Sequence, residues 1–254
     1  MANKSGQSEQ VVLYDLPSKG EPHCFSPNSW KTRAALNFKG LDYSTDWTDF
    51  CDLHEKLISF GLSPNGPEEC MFRYSSPTVK LPDGSFVMES RHIADALEKL
   101  QPEPSLGLDT GYPERAQGIV DQLLRTVVVP FMYRIPDWLL RPEGAKWYHQ
   151  ERQKLFGGMT LYDFAEHEEF SGEKAWQKAE PGMNALKDLL AEDKSGPFVM
   201  GSRVSYADLI IASYFKFLTK IDKDGDAYGR MLGFDPSFQE LFKACEKWYA
   251  RDDH

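Results

Sequence analysis

Residues 76–90 read Ser76-Pro77-Thr78-Val79-Lys80-Leu81-Pro82-Asp83-Gly84-Ser85-Phe86-Val87-Met88-Glu89-Ser90, and this stretch decides the fold. Thr78 and Val79 open a β-branched run, Pro82-Asp83-Gly84 holds the residues of a tight turn, and 85–88 reads as the returning strand. Ser90 then stands where a helix N-cap belongs, ahead of Ile93, Ala94, Leu97 and Leu100 at helical spacing. The pair Glu89-Ser90 thus offers a carboxylate and a hydroxyl at a strand-to-helix junction. Free backbone N–H groups and the positive end of the helix dipole favour an anion there. Such a junction suits a small zwitterion, and a serine that only caps its helix fits the same residues.

Upstream, the pattern alternates strand and helix. Residues 11–16 read as a first strand, Trp30, Ala34, Leu36 and Phe38 as a helix stopped by Gly40, and 41–47 as a second strand rich in aromatic and β-branched residues. This is a βαβ unit followed by a hairpin and a helix, which predicts an α/β domain. Between Trp47 and Ser75, Phe50, Leu53, Leu57 and Phe60 have helical spacing ahead of the breaker cluster 61–67. A connection of that length is expected to border a site.

Downstream of Pro102-Glu103-Pro104 every periodic segment is helical, with Phe198-Val199 as the one candidate strand. Helices are predicted at 114–139, 146–169, 173–190, 206–221 and 237–249, giving an all-α second domain. The division expected is 1–102 and 110–254. Ser205-Tyr206-Ala207-Asp208 is an Asp variant of the capping box, with Ser205 capping the N3 amide and Asp208 reaching back.

The 254 residues are 41% hydrophobic and 27% charged, enough for two cores, and carry a net charge of -10 with no basic run interleaved with aromatics. Nucleic acid is excluded as a partner by repulsion. Residues 1–10 are polar, and no apolar stretch approaches the ~20 residues that cross a bilayer, so a soluble cytoplasmic protein without membrane partners is expected. Cys24, Cys51, Cys70 and Cys245 are scattered without a C-x-x-C pair, which predicts free thiols and neither a zinc site nor a disulfide framework. Asp222-Lys223-Asp224-Gly225-Asp226 has glycine at the fourth rather than the sixth position, and Gly233 where a calcium loop closes on Glu, so it reads as a solvated turn.

Chemistry is expected in a second polar cluster, Ser26-Pro27-Asn28-Ser29-Trp30-Lys31, in the loop between first strand and first helix. In a parallel sheet the ligand crevice lies beyond the C-terminal strand ends, where this loop falls. The Ser26 hydroxyl is suited to donate to a bound thiolate and lower its pKa from ~8.5 towards neutrality. Alternatively Ser26 or Ser29 only caps the helix. A cis Pro77 would turn the Ser76 N–H and C=O towards a peptide ligand. Cys24, beside His23, is the candidate reactive thiol, with an inert buried cysteine as the simpler reading.

These residues, the run Ser26-Pro27-Asn28-Ser29-Trp30-Lys31-Thr32-Arg33-Ala34-Ala35-Leu36, and Gly201-x-x-x-Ser205-x-x-Asp208 together resemble a cytosolic glutathione transferase over nearly the whole chain. The resemblance is to serine-type members, and more narrowly to the fungal and etherase-related branches. It implies a thioredoxin-like N-terminal domain that binds glutathione as co-substrate and an all-α C-terminal domain that holds a hydrophobic electrophile. It implies Ser26 as the thiol-activating residue, and Asn28, Ser29, Ser75, Ser76, Glu89 and Ser90 as the glutathione site. Phe131, Met132 and Tyr133, with Leu124, Val127, Val128 and Trp138, are then the apolar electrophile wall and Arg125 and Arg134 its polar options, with plain core packing as the alternative for most of these apolar residues. No metal is implied, and a homodimer is.

Two features depart from the family pattern: Ser76 replaces a branched apolar residue before the proline, and the segment 50–74 is enlarged. The glycyl carboxylate is left to Lys56, His54 or Arg73. The activity implied is addition of glutathione to a hydrophobic electrophile, or cleavage of one, in detoxification or secondary metabolism. A glutathione-binding protein without turnover and an ether-cleaving enzyme remain alternatives.

Overall fold

The structure, a computed structural model, describes residues 10–21, 23–66, 68 and 72–252. Of the expectations above, the polar stretch up to residue 9, Pro67 of the breaker cluster and the free thiol of Cys70 lie outside the described residues.

A four-stranded sheet of order β2-β1-β3-β4 forms the first half, from β1 (Val11–Asp15), β2 (Tyr43–Trp47), β3 (Thr78–Lys80) and β4 (Phe86–Met88). β1 runs parallel to β2, with Val11 opposite Tyr43 and Asp15 opposite Trp47, and antiparallel to β3, which turns back through residues 81–85 into β4. Period-two alternation sends Val11 and Leu13 into the core with α1, while Tyr14 packs on Phe60 and Phe86 with ring centroids 5.1 and 6.1 Å away. α1 (Pro27–Lys39) begins with Pro27 in its first turn and ends on Gly40 at φ +65°, whose N–H closes on the Leu36 and Asn37 carbonyls. α2 (Phe50–Ser59) follows β2. α3 (Ser90–Leu100) buries Ile93, Ala94 and Leu97, the stripe that its spacing predicted.

Each helix predicted in the second half has a counterpart, but two are broken into shorter pieces and the last, predicted to 249, ends at Cys245 ahead of a 3-10 turn (Glu246–Trp248). The stretch predicted as one helix over 114–139 is α4 (Tyr112–Leu123) continued by a π-turn (Leu124–Val128), a 3-10 turn (Val129–Phe131) and a second π-turn (Ile135–Leu139). Pro130 and Pro136 lack the amide hydrogens that an α-helix needs there, so the backbone widens and tightens around them. The stretch predicted over 146–169 is α5 (Pro142–Leu155) and α6 (Leu161–Glu166), parted by Gly157 and Gly158 at φ +64° and +98°. Thr160 and Asp163 form a capping box that restarts the chain as α6.

α7 (Gly172–Leu190), α8 (Tyr206–Ile221), an unforeseen short α9 (Tyr228–Leu232) and α10 (Pro236–Cys245) complete the bundle. Phe198-Val199 is no strand; Phe198 makes only an isolated bridge with Gly201. α8 is buried around nearly its whole circumference because α4, α10 and α1 surround it. The sheet and its helices form a thioredoxin-like half, followed by an all-helical half. Limits of 1–102 and 110–254 remain our proposal for the two domains. Among the described residues no helix is long and apolar enough to cross a membrane.

α1 is the element shared by both halves. It packs on α3 and the sheet on one side and on α8 on the other, so even Lys31 and Arg33 are buried. Its N-terminus therefore opens at the junction between the two halves.

Candidate active site

Ser26 is the residue before α1 and occupies its N-cap position with extended backbone (φ -63°, ψ 131°). Its carbonyl accepts the Trp30 N–H at 3.0 Å, but its side chain makes no cap hydrogen bond. The capping alternative therefore does not account for the Ser26 hydroxyl, which is half-buried and uncommitted to the helix. Ser29 is no cap either. It is fully buried inside the first turn, with Oγ 3.2 Å from Ser76 Oγ. Ser76 Oγ also donates to the Tyr14 carbonyl at 3.3 Å. A hydroxyl replaces the branched apolar side chain here because its neighbours are polar atoms to be paired rather than apolar surface to be filled.

The Ser76–Pro77 peptide is cis. Ser76 lies outside the strand ladder, which begins at Thr78. Behind it Ser75 is buried, and its hydroxyl donates to a Glu89 carboxylate oxygen. Asn65 Nδ2 reaches the same Glu89 oxygen at 3.2 Å, Ser75 Oγ at 3.2 Å and the Phe72 carbonyl at 3.0 Å. The enlarged segment is thereby tied to the strand-to-helix junction, as a segment bordering a site should be. Sequence reasoning missed Asn65; its place within the breaker cluster was the available signal.

One correction concerns this junction. Ser90 is not the N-cap of α3 but its first helical residue, and Glu89 holds the cap position at φ +71°, ψ 125°, with no side-chain cap hydrogen bond. A non-glycine residue at such φ is held there by its surroundings, here by Ser75 and Asn65 on its carboxylate. The α3 N-terminus is left without a side-chain cap, which is the arrangement an incoming anion needs. The Ser90 carbonyl accepts the Tyr206 hydroxyl at 2.9 Å, which binds this junction to α8.

Asn28 is exposed, and its Oδ1 accepts from Lys31 Nζ at 2.9 Å. Lys31 is 2% exposed and also reaches Gln117 Oε1 at 2.8 Å, whose amide continues to Asp121 at 2.6 Å on α4. Burial lowers Lys31 to about 8 against the opposing pull of Asp121 and Glu89. This cation between the halves was also missed, because a lysine in a helical run reads as a solvated face.

Of the residues considered for a glycyl carboxylate, Lys56 is already paired with Asp46 at 2.5 Å and Thr48 at 2.9 Å. His54 packs on Tyr74, and Arg73 is exposed. Cys24 is fully buried, and burial first, then the neighbouring Asp15 carboxylate, pushes its thiol well above the ordinary range. The reactive-thiol reading fails on that environment, and the inert one stands.

The expected electrophile wall is divided by its irregular helix. Phe131, Met132 and Tyr133 are half-buried, and Arg125 is exposed. Arg134 is withdrawn as a polar option: it pairs both Asp226 oxygens at 2.9 and 2.6 Å, bonds the Ile221 carbonyl at 2.8 Å and lies 4.5 Å from the Phe131 ring centre. In the turn after α8, Asp222 accepts the amides of Gly225, Ala227, Tyr228 and Gly229, so these carboxylates serve backbone donors. The loop after β1 is held to the wall by Lys19, which bonds the Leu139 and Asp137 carbonyls at 2.7 and 2.8 Å. Next to Ser26, Phe25 contacts Phe50, which stacks on Trp147 at 5.3 Å and meets Tyr148 edge-on at 5.6 Å. These α5 aromatics carry no signal in the sequence that would place them here.

Comparison with known proteins agrees with this geometry. The family model described as glutathione S-transferase, N-terminal domain, matches residues 25–100, and that described as glutathione S-transferase, C-terminal domain, matches residues 116–248. The glutathione S-transferase-like protein ustS of Aspergillus flavus is 24% identical, with 93% of this chain and 88% of that protein covered. Glutathione transferase GSTFuA3 from Phanerochaete chrysosporium superposes with a TM-score of 0.79 at 26% identity, covering 96% of this chain and 99% of its own. The glutathione S-transferase CsGST63524 of Ceriporiopsis subvermispora, crystallised in complex with glutathione, shares the fold with a TM-score of 0.81 at 24% identity, covering 97% and 100%.

Proposed function

The chain belongs to the glutathione S-transferase family, with glutathione as co-substrate, and from that premise we propose that Ser26 activates the thiol for attack on a hydrophobic electrophile. The observation that carries this reading is the Ser26 hydroxyl, placed at the N-terminus of α1 yet not used to cap it. In our reading the γ-glutamyl group lies at Glu89, Ser90 and Ser75, where the uncapped α3 N-terminus meets its carboxylate and Glu89 its ammonium. The cysteinyl backbone pairs with Ser76. Asn28 and Ser29 complete the glutathione site from α1, Ser29 by holding Ser76 from beneath.

The thiol proton leaves to solvent, and the Ser26 O–H donates to the sulfur, favouring thiolate over thiol. Lowering the thiol by ~2 pKa units corresponds to about 2.7 kcal/mol, within reach of one charge-assisted hydrogen bond and a helix N-terminus. The thiolate lone pair then forms the carbon–sulfur bond, and the displaced electron pair departs with the leaving group or stays on the adduct. Phe131, Met132 and Tyr133, together with the stacked Phe50 and Trp147 rings, favour an aryl electrophile, and Arg125 would meet an anionic substituent. Detoxification, a step in secondary metabolism, and displacement at an ether carbon all draw on this chemistry. We also propose a homodimer, which light scattering would read as twice the chain mass.

The experiment is Ser26→Ala assayed with 1-chloro-2,4-dinitrobenzene, beside calorimetric titration with glutathione. Conjugation is expected to fall at least about a hundredfold, the scale of losing one donor to a developing anion, with glutathione affinity nearly intact. Retained full activity would remove Ser26 from the mechanism. Glutathione binding by the wild type without proton release would put the turnover-free reading first.

A further inference from the structure

The segment after α10 runs along α1 towards the Ser26 loop. Trp248 packs edge-on against Phe38 at 5.3 Å, and its carbonyl accepts from Asn37 Nδ2 at 2.8 Å, near the C-terminal end of α1. Tyr249 lies 5.5 Å from the Trp30 ring, about two turns nearer the N-terminus of α1, with its hydroxyl anchored on the Leu209 carbonyl and Ser213. Asp252 then reaches the loop itself. Its Oδ2 accepts the Cys24 N–H at 2.6 Å, 228 positions away in sequence, and its carbonyl accepts Arg33 Nη1 at 3.4 Å. Four residues of chain can reach at most roughly 13 Å, and seven helical residues from Asn37 to Trp30 rise about 10 Å, so the segment is long enough to cover that part of α1.

Asp252 is 8% exposed and stands among cations. Arg33, fully buried, holds Asp15 Oδ2 at 2.8 Å and Thr45 at 3.0 Å with its other contacts, and Lys216 and Lys220 of α8 feel the Asp252 charge. Across the loop, Trp30 Nε1 donates to the Cys24 carbonyl at 3.2 Å. Both polar backbone groups of Cys24 are therefore fixed, two residues before Ser26, one by α1 and the other by a chain segment from the far end of the sequence.

We propose that Asp252 is a positioning residue for Ser26, acting through the Cys24 amide to hold the Ser26 hydroxyl where the glutathione sulfur arrives. This inference rests on the reading of Ser26 as the thiol-activating group. Without the Asp252 acceptor the Cys24 amide is orphaned, and of the two bonds that fix Cys24 at the exit into α1 only the one from Trp30 is left.

Cys24 itself reports the state of this loop, because a fully buried thiol reacts only when its surroundings open. The test uses the full chain with Asp252→Ala and Asp252→Asn. Iodoacetamide labelling of native protein is read peptide by peptide, with buried Cys245 and exposed Cys51 as internal references. The thiolate absorbance of bound glutathione is followed against pH. Asp252→Ala is expected to label Cys24 at least about tenfold faster with Cys245 unchanged, and to raise the bound thiol by about one pKa unit, a tenfold loss of thiolate. kcat should fall in step while KM for glutathione stays within about threefold. Asp252→Asn, which keeps an acceptor oxygen, should lie nearer the wild type.

Unchanged Cys24 labelling would overturn the proposal, and so would equal acceleration at Cys245, which marks general loosening. Faster Cys24 labelling with the thiolate unmoved would show a tie that positions nothing and would also overturn it. Failure of the Ser26 reading has a separate signature: Ser26→Ala would then keep the bound thiolate.

Discussion

At the start of α8, Ser205 and Asp208 close on each other; at the start of α3, Glu89 and Ser90 do not. Asp208 is fully buried and takes three donors, the Ser205 N–H at 2.7 Å, the Ser205 hydroxyl at 2.9 Å and the Val199 N–H at 2.7 Å. Glu89 spends its carboxylate on Ser75 and Asn65 instead, stands at φ +71° and leaves its helix uncapped. Similar residue types at two helix N-termini thus do opposite work. Where every donor is answered from within, the helix start is a fastening; where the amides are left open and the carboxylate is aimed by others, it is a place for something to bind.

The largest effect should come from breaking the closed end. Asp208→Ala orphans three buried donors at once, and a loss of about 3 kcal/mol in unfolding free energy is expected. Denaturant titration measures it, and glutathione affinity of the surviving folded fraction should be unchanged. A loss below about 1 kcal/mol would mean that the α8 start is no more of a fastening than the α3 start.

That contrast was half legible in the sequence. The capping box at Ser205 and Asp208 is local, three residues apart, and so was the hairpin leading into Glu89 and Ser90; turn chemistry and periodicity act at that range and can be read there. The partners that give these residues their roles come from elsewhere in the chain. Asn65 on Glu89, Gln117 on Lys31 and Asp252 on Cys24 are set by tertiary packing, which leaves no periodic trace. The helix breaks were a different failure. Pro130, Pro136, Gly157 and Gly158 stood in plain view, but apolar spacing on either side continued through them, and backbone chemistry prevailed over that pattern.

A second test asks whether the buried charge on the cleft side, Lys31, is held at a cost to folding. Lys31 lies at about 8 in the folded protein against 10.5 ordinarily, because burial disfavours its ammonium. Between those values the unfolded chain binds more protons than the folded one, so stability rises with pH across that window. Relative to Lys31→Met, which does not titrate, the wild type should gain about 2 kcal/mol between pH 8 and pH 10. A pH-independent difference would show Lys31 to be fully compensated by Asn28, Gln117 and the carboxylates near it, and the cleft would then be as settled as the core.

The finest test isolates the backbone of Glu89. Glycine inside a helix or strand is less stable than alanine by roughly 0.5–1 kcal/mol, because it loses more freedom on folding. At φ +71° the order should invert, since alanine keeps the Cβ that this conformation disfavours and glycine does not. Glu89→Ala and Glu89→Gly both remove the carboxylate, with its bonds to Ser75 and Asn65, and both should bind glutathione more weakly. Their difference in unfolding free energy cancels those losses and leaves the strain, with Glu89→Gly expected about 1 kcal/mol the more stable. If alanine proves the more stable, Glu89 relaxes to an ordinary conformation once its carboxylate is gone. The side chain, not the chain path from β4 into α3, would then be what holds the helix start open.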